Sequence, residues 1–515
     1  MIQYALAVIS TSVLGVYVIF LFVRLRDAQK ESERIKSRGR TLSFGSSCMM
    51  RDPFPPVSKV LPPVINILLF FDACPSEESI VKGIMSLLKF KRLNSKVSFD
   101  NNEKVWHLES TEMDVKNHLS TVFADTEEEV VNVAHKLSLT EHLNYGEMPS
   151  WKFIRIINRG NGSSGILFRI HHVVGDGISL VRIMEKIFTD AKGKPFVMTL
   201  PQLSNTPKLG NLALFSFSLQ VIYCFFKSLS LGLSPFDSNV PFNSTKKSSL
   251  TMAPSPQLVL FPTLKLDYLK EIKEKLAAVQ KTNYTINDLL LSLMTGCIKR
   301  YCEHMKSKDI SSRTTPSSPA GAQWHIRALL PLALPREQDA ESLHETGLRN
   351  KWVFLSVPLP IAETDSRSRL VKSALVMKNL KNSPMAYVQH WVQNNIAANL
   401  PLFLRRQTLQ DVFSRHSLVF SNVPGPQEPA YLDGKKLKGL QVLFPNLLSQ
   451  CCIFSYNGGI FTNLVLDPDV VKEAHTLPGF FMEELMELSN ILGVSVAEGD
   501  MLAPLSAGGF LRLPS

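Results

Sequence analysis

No CxxC pair, no HExxH and no other metal-ligand spacing occurs in the 515 residues, so neither a zinc ribbon nor a zincin has a signature here and no metal is expected. The seven cysteines (Cys48, Cys74, Cys224, Cys297, Cys302, Cys451 and Cys452) are an odd set without framework spacing. They read as reduced thiols facing a cytosol, not as a disulfide scaffold. There is no Walker A loop and no GxSxG elbow, and no internal repeat is visible.

Charge is the next scarcity. Charged residues make up 20% of the chain against 45% hydrophobic, which excludes disorder on the scale of the whole protein. At 515 residues, two domains are expected. The net charge of +11 suits a partner with phosphates: nucleic acid, an anionic membrane surface or a phosphorylated cofactor. The positive residues are scattered except between Arg24 and Arg40. No nucleic-acid-binding module is recognisable, so nucleic acid is not an expected partner.

Between Tyr4 and Val23 there is no charged side chain at all. About 20 apolar residues rising about 1.5 Å each cross a bilayer core of roughly 30 Å. The segment has neither a basic n-region nor a small-residue cleavage site, so it reads as an anchor and not as a cleaved signal peptide. The basic run that follows stays cytoplasmic, which puts the body of the protein in the cytosol. A second apolar stretch, Leu209 to Phe226, is interrupted by Asn211, Ser216, Ser218 and Gln220. Composition leaves it open between a spanning helix and an interfacial or buried one.

Val64 to Phe71 reads as a strand from its β-branched and aromatic content, and Glu77 to Leu88 as a helix from the spacing of Ile80, Ile84, Leu87 and Leu88. Strand-like runs recur at 96–99, 153–157, 327–330, 352–358, 417–420 and 459–466. Thr285-Ile286-Asn287-Asp288 has helix-capping chemistry at the head of an apolar run from Leu289 to Tyr301. Ser311 to Gly321 reads as a polar loop.

Gly160-Asn161-Gly162-Ser163-Ser164-Gly165 matches GxGxxG, but strand-like residues flank it on both sides. A dinucleotide site needs a helix after the glycines, so a hairpin loop is predicted instead. The hairpin leads into Ile166-Leu167-Phe168-Arg169-Ile170-His171-His172, where alternation sets His172 on the face of Ile170 and Phe168 and His171 on that of Arg169. Gly175-Asp176-Gly177 reads as a tight turn that uses glycine's backbone freedom, with an amphipathic helix after it. A histidine at a strand end beside a carboxylate suits general-base chemistry. A structural cap on the strand accounts for the same spacing, and the residues alone leave both readings open.

His171-His172-Val173-Val174-Gly175-Asp176-Gly177 resembles the HHxxxDG signature of the CoA-dependent acyltransferase superfamily. Its companions resemble the wax ester synthase/diacylglycerol acyltransferase branch in order and spacing. Pro149-Ser150-Trp151 is similar to that family's PLW, and Asn287-Asp288 to its ND. Arg349-Asn350 with Pro358-Leu359-Pro360 resembles its GN…LP, with Arg349 in place of the glycine. Ser421-Asn422-Val423-Pro424-Gly425-Pro426 matches its NVPGP, and Ser455-Tyr456-Asn457-Gly458 with Asp467 resembles its SYxG…D. The likeness covers residues 60–490.

The resemblance implies an α/β fold of two chloramphenicol-acetyltransferase-like domains with a channel between them, and the apolar run Tyr4–Val23 places an N-terminal transmembrane helix before them. The division expected is 1–24 anchor, 25–60 basic and Pro-rich linker, 61–200 first domain, 201–255 crossover, 256–500 second domain and 501–515 tail. It implies His172 as catalytic base, His171 as its support, and Asp176 with Gly177 holding the loop, in the superfamily often through an arginine. Asn287, Ser421 and Asn422 become candidates for substrate or oxyanion binding. No cofactor is implied beyond acyl-CoA as co-substrate. The acceptor implied is a fatty alcohol or diacylglycerol, at an endoplasmic reticulum membrane. A small alcohol, sterol or amine acceptor stays open, as does a silent lipid-binding protein of the same fold. Both halves of one channel must lie on one side of a bilayer, which keeps Leu209–Phe226 from spanning it.

Overall fold

Two sheets, one centred in each half of the chain, carry the fold of the computed structural model. It describes residues 40–50, 62–100, 105–140, 143, 146–196, 211–243, 255–312, 324–335, 348–495 and 501–502. The anchor expected at Tyr4–Val23 lies outside the described residues.

The first sheet runs, in spatial order, Tyr431–Leu432, Lys435–Leu443, Val64–Phe71, Ser164–His171, Trp151–Asn158 and Leu119–Ala124. Val64–Phe71 and Ser164–His171 are buried along their whole length. Helices cover both faces: Glu77–Leu87 and Gly177–Ile187 on one, Glu127–Thr140 on the other. A strand sandwiched in this way needs a near-continuous apolar run, which Val64–Phe71 supplies. Asn66 is its one polar residue; it donates to the Leu443 carbonyl at 3.1 Å and accepts from buried Arg169 at 2.9 Å. Trp151–Asn158 and Ser164–His171 pair antiparallel, so the glycine-rich segment is a hairpin loop, with Gly162 at φ +127°.

The second sheet runs Trp352–Leu359, Ile326–Ala333, Leu418–Val423, Ser449–Tyr456, Gly459–Leu466, Thr263–Lys265 and Met501–Leu502, with Gln257–Leu260 also on Gly459–Leu466. Its core lies against the helices Leu266–Gln280, Ile286–Ser312, Ser366–Lys381 and Leu477–Leu492. Ile286–Ser312 runs into the first two residues expected in the polar loop; 313–321 lie outside the described residues.

The halves are not separable along the chain. Lys435–Leu443, from the second half, completes the first sheet beside Val64–Phe71, and Asn463 of the second sheet donates to Gln441 Oε1 at 2.8 Å. Inside the stretch read as linker, Arg40–Thr41 pairs with Val105–Ser110 and Phe44–Ser47 forms a helical turn. Met501–Leu502, in the expected tail, pairs with Thr263–Lys265.

Among the described residues, no helix is long and apolar enough to cross a membrane. The helix Asn211–Leu229 packs on Met385–Asn395, with Cys224 buried beside Val353 and Met385. Its other side leaves Leu219, Ile222, Tyr223 and Phe226 exposed.

Candidate active site at the junction of the two halves

The strand Ser164–His171 ends where the two halves meet. His171 is fully buried, and its Nδ1 accepts from the Val173 N–H at 3.2 Å. His172, the first residue past the strand, is only partly buried, and its backbone N–H donates to Pro63 O at 2.8 Å. Its ring stands between Phe444, with centroids 5.5 Å apart, and Trp352, at 6.1 Å. Burial pushes the His172 pKa below the ordinary histidine value, with Asp176's negative charge opposing. The neutral imidazole, the form able to accept a proton, is therefore favoured.

Nδ1 of His172 lies 2.9 Å from Asn350 Oδ1, so Nε2 is the nitrogen left for a substrate. Asn350 Nδ2 also reaches the carbonyls of His172, at 2.7 Å, and Val173, at 3.3 Å. From the first half, Arg92 donates to Val173 O at 3.0 Å and Ser46 Oγ accepts from Asn350 at 3.1 Å.

Asp176 caps the helix Gly177–Ile187. One carboxylate oxygen accepts from the Ser179 N–H and hydroxyl, both at 3.1 Å, and the other accepts from the Lys351 N–H at 3.0 Å. The Ser179 hydroxyl lies 3.0 Å from Arg349 O and 3.1 Å from Arg349 N. The carboxylate thus holds the loop to the second half. Neither flanking glycine adopts a left-handed backbone, so the expected need for backbone freedom is corrected to one for space. A Cβ on Gly175 would come within 2.6 Å of Ser179 Cβ, and one on Gly177 within 3.0 Å of Val423 Cγ2.

The contact between Gly177 and Val423 brings the NVPGP segment to the head of this helix. Asn422 Nδ2 donates to Asn287 Oδ1 at 2.7 Å, joining two of the three oxyanion candidates. Asn287 stands in a capping box: Thr285 Oγ1 accepts from Asp288 N at 3.2 Å, and Asp288 accepts from Thr285 N at 2.8 Å. Ser421 is separated from this pair by strand alternation, sharing a face with Val423 while Asn422 shares one with Phe420. Pro149-Ser150-Trp151 also lies beside the histidines, with Ser150 O accepting from His171 N at 2.8 Å. Gly425 N donates to Ser455 Oγ at 3.1 Å, which joins the NVPGP and SYNG segments.

A profile of the WS/DGAT C-terminal domain matches residues 348–489, the stretch that supplies Asn350, Trp352, Asn422 and Phe444. The second half of the chain thus carries a match to the wax ester synthase/diacylglycerol acyltransferase family, and most of the chain is similar to its members. Wax ester synthase/diacylglycerol acyltransferase 3 of Arabidopsis thaliana is 21% identical over 498 residues, 87% of this chain and 94% of that one. Two Mycobacterium tuberculosis sequences named as diacylglycerol O-acyltransferases are 23% identical over 239 residues. That match spans 45% of this chain and 43% of theirs. The wax ester synthase/diacylglycerol acyltransferase structure from Marinobacter aquaeolei superposes with a TM-score of 0.55 at 15% identity, over 88% of this chain and 100% of that one. It shares the two-domain α/β fold.

The motifs named His172 and Asp176 but gave Asn350 no role beyond its own motif. Ser46, Arg92, Trp352, Ser179 and Phe444 carried no signal of their own. Only the Arg349-Asn350 pair was visible, and nothing linear places it beside a histidine 178 positions earlier.

Proposed function

We propose that this chain is an O-acyltransferase that moves a long-chain acyl group from CoA to a fatty alcohol or diacylglycerol, with His172 as general base. The observation that carries it is the His172 ring, held through Nδ1 at the junction of the halves with Nε2 left for substrate. Nε2 takes the proton of the acceptor hydroxyl as its oxygen forms a bond to the thioester carbonyl carbon. The tetrahedral intermediate collapses, the C–S bond breaks, and the CoA thiolate takes the proton back from Nε2. No acyl-enzyme forms. His171 and Asp176 support the loop, and the Asn287–Asn422 pair and Ser421 are the candidates for meeting the oxyanion or substrate.

Apolar substrates fit a chain anchored to the endoplasmic reticulum membrane through Tyr4–Val23, its body in the cytosol and the exposed side of Asn211–Leu229 resting on the bilayer interface. Microsomes given labelled acyl-CoA and either hexadecanol or diacylglycerol test the assignment. Wax ester or triacylglycerol is expected, and His172→Ala should remove it. Acyl-CoA binding without any ester product would favour a silent lipid-binding protein, and product only with a small alcohol, sterol or amine would change the acceptor.

A further inference from the structure

We infer that Asn350 is a positioning residue that selects the proton-accepting nitrogen of His172 and makes that choice depend on the docking of the two halves. The inference deepens the acyltransferase reading and rests on it for its kinetic arm alone.

The amide can be oriented by chemistry. The end near the His172 and Val173 carbonyls faces atoms that only accept, so it must be the NH₂. The other end is then the oxygen, 3.3 Å from the Trp352 indole N–H, which only donates, and 2.9 Å from His172 Nδ1. An amide oxygen accepts only, so Nδ1 carries the hydrogen of the neutral ring and Nε2 carries the lone pair. The two carbonyls and the indole N–H enforce this assignment, and the Ser46 hydroxyl is compatible with it.

Asn350 belongs to the second half and His172 to the first. Lys351 N–H and Arg349 bind Asp176 and Ser179 at the far side of the same loop. One three-residue segment therefore grips both ends of the HHxxxDG turn. Separating the halves would take the Asn350 oxygen from Nδ1, leave it only the residue's own carbonyl, and loosen the choice between the two tautomers. The charged group acting on the ring is Asp176, from its own loop; Asn350, Trp352 and Phe444, which face it from the second half, are neutral.

Full-length protein labelled with ¹⁵N-histidine and solubilised in detergent gives the direct test, with His172→Gln identifying the ring's signals. Above its pKa the wild-type ring should show a protonated Nδ1 and a bare Nε2; a protonated Nε2 would overturn the inference whether or not the protein turns over substrate. Asn350→Ala should move the two nitrogens towards averaging, with only the ring's own carbonyl left at Nδ1, and lower kcat about 10- to 100-fold, with KM nearly unchanged. Asn350→Asp keeps an acceptor opposite Nδ1 and adds a charge. It should restore part of kcat over the alanine variant and move the acid limb of the pH profile up by about one unit or more. Equal losses in both variants with an unmoved acid limb would reduce Asn350 to a structural clamp. A wild type without acyl transfer would sink the enzymatic reading and leave the ring spectrum to decide this one.

Discussion

His172 combines a strand-end position, aromatic walls and a burial that lowers its pKa from the ordinary 6.5. The neutral base then persists to lower pH than a free histidine would allow, so the acid limb of kcat/KM should fall below pH 6.5. A limb at pH 7 or above would contradict this. Asp176 acts as a helix cap and a tie to Lys351, so Asp176→Ala should cost about 0.5–2 kcal/mol in urea unfolding, beside any loss of rate. At this scale the sequence was half legible. Histidine and aspartate were visible in their motif because local spacing fixes both. Asn350's bond to His172 and the steric role of Gly175 and Gly177 arise from a partner segment that local spacing does not reveal.

Elements with a strong pattern could be read in advance. Val64–Phe71 and Gly459–Leu466 have the bounds that their β-branched, aromatic runs predict, and the hairpin follows from strands on both sides of its glycines. Arg40–Thr41 and Phe44–Ser47 could not be, being too short for any periodicity. Two buried polar groups make predictions at this scale. Glu484, fully buried at the centre of Leu477–Leu492, pairs with Arg369 at 2.8 Å and Arg300 at 3.1 Å. Removing it in Glu484→Ala strands Arg369 in the core and should destabilise by about 3–5 kcal/mol. His416 Nδ1 donates to Val412 O at 2.6 Å, its Nε2 accepts from the Ser356 hydroxyl at 2.8 Å, and burial lowers its pKa to about 4. The unfolded chain binds that proton first, so stability should be full above pH 6.5 and decline as pH falls towards 4. Denaturant midpoints across that window should drop less in His416→Gln.

On the scale of the molecule, the first sheet is finished by a strand of the second half, which a division of the chain at 201–255 does not anticipate. The pattern of Lys435–Leu443 marks it as a strand but says nothing of which sheet receives it. Calorimetry should show the described body unfolding in a single transition, and Leu440→Ala, at a fully buried site in that strand, should lower it by about 2–5 kcal/mol. Two well-separated transitions would mean that the exchanged strand does not couple the halves. Asn161-Gly162-Ser163 and Asn283-Tyr284-Thr285 are glycosylation sequons, one in each half, and mapping that put them on opposite sides of a membrane would defeat the proposed one-sided arrangement of the two halves.

The exchanged strand also imposes an order on synthesis. Asn66 bonds to Leu443, 377 positions later, so the edge of Val64–Phe71 emerges from the ribosome long before its neighbour exists. At about 5–20 residues per second that edge stays open for about 20–75 s. A nascent chain of this kind offers unpaired backbone beside Ile65, Ile67 and Leu69 to any other strand nearby. Its yield in cells should therefore follow chaperone supply during translation more closely than it follows the stability of the finished protein.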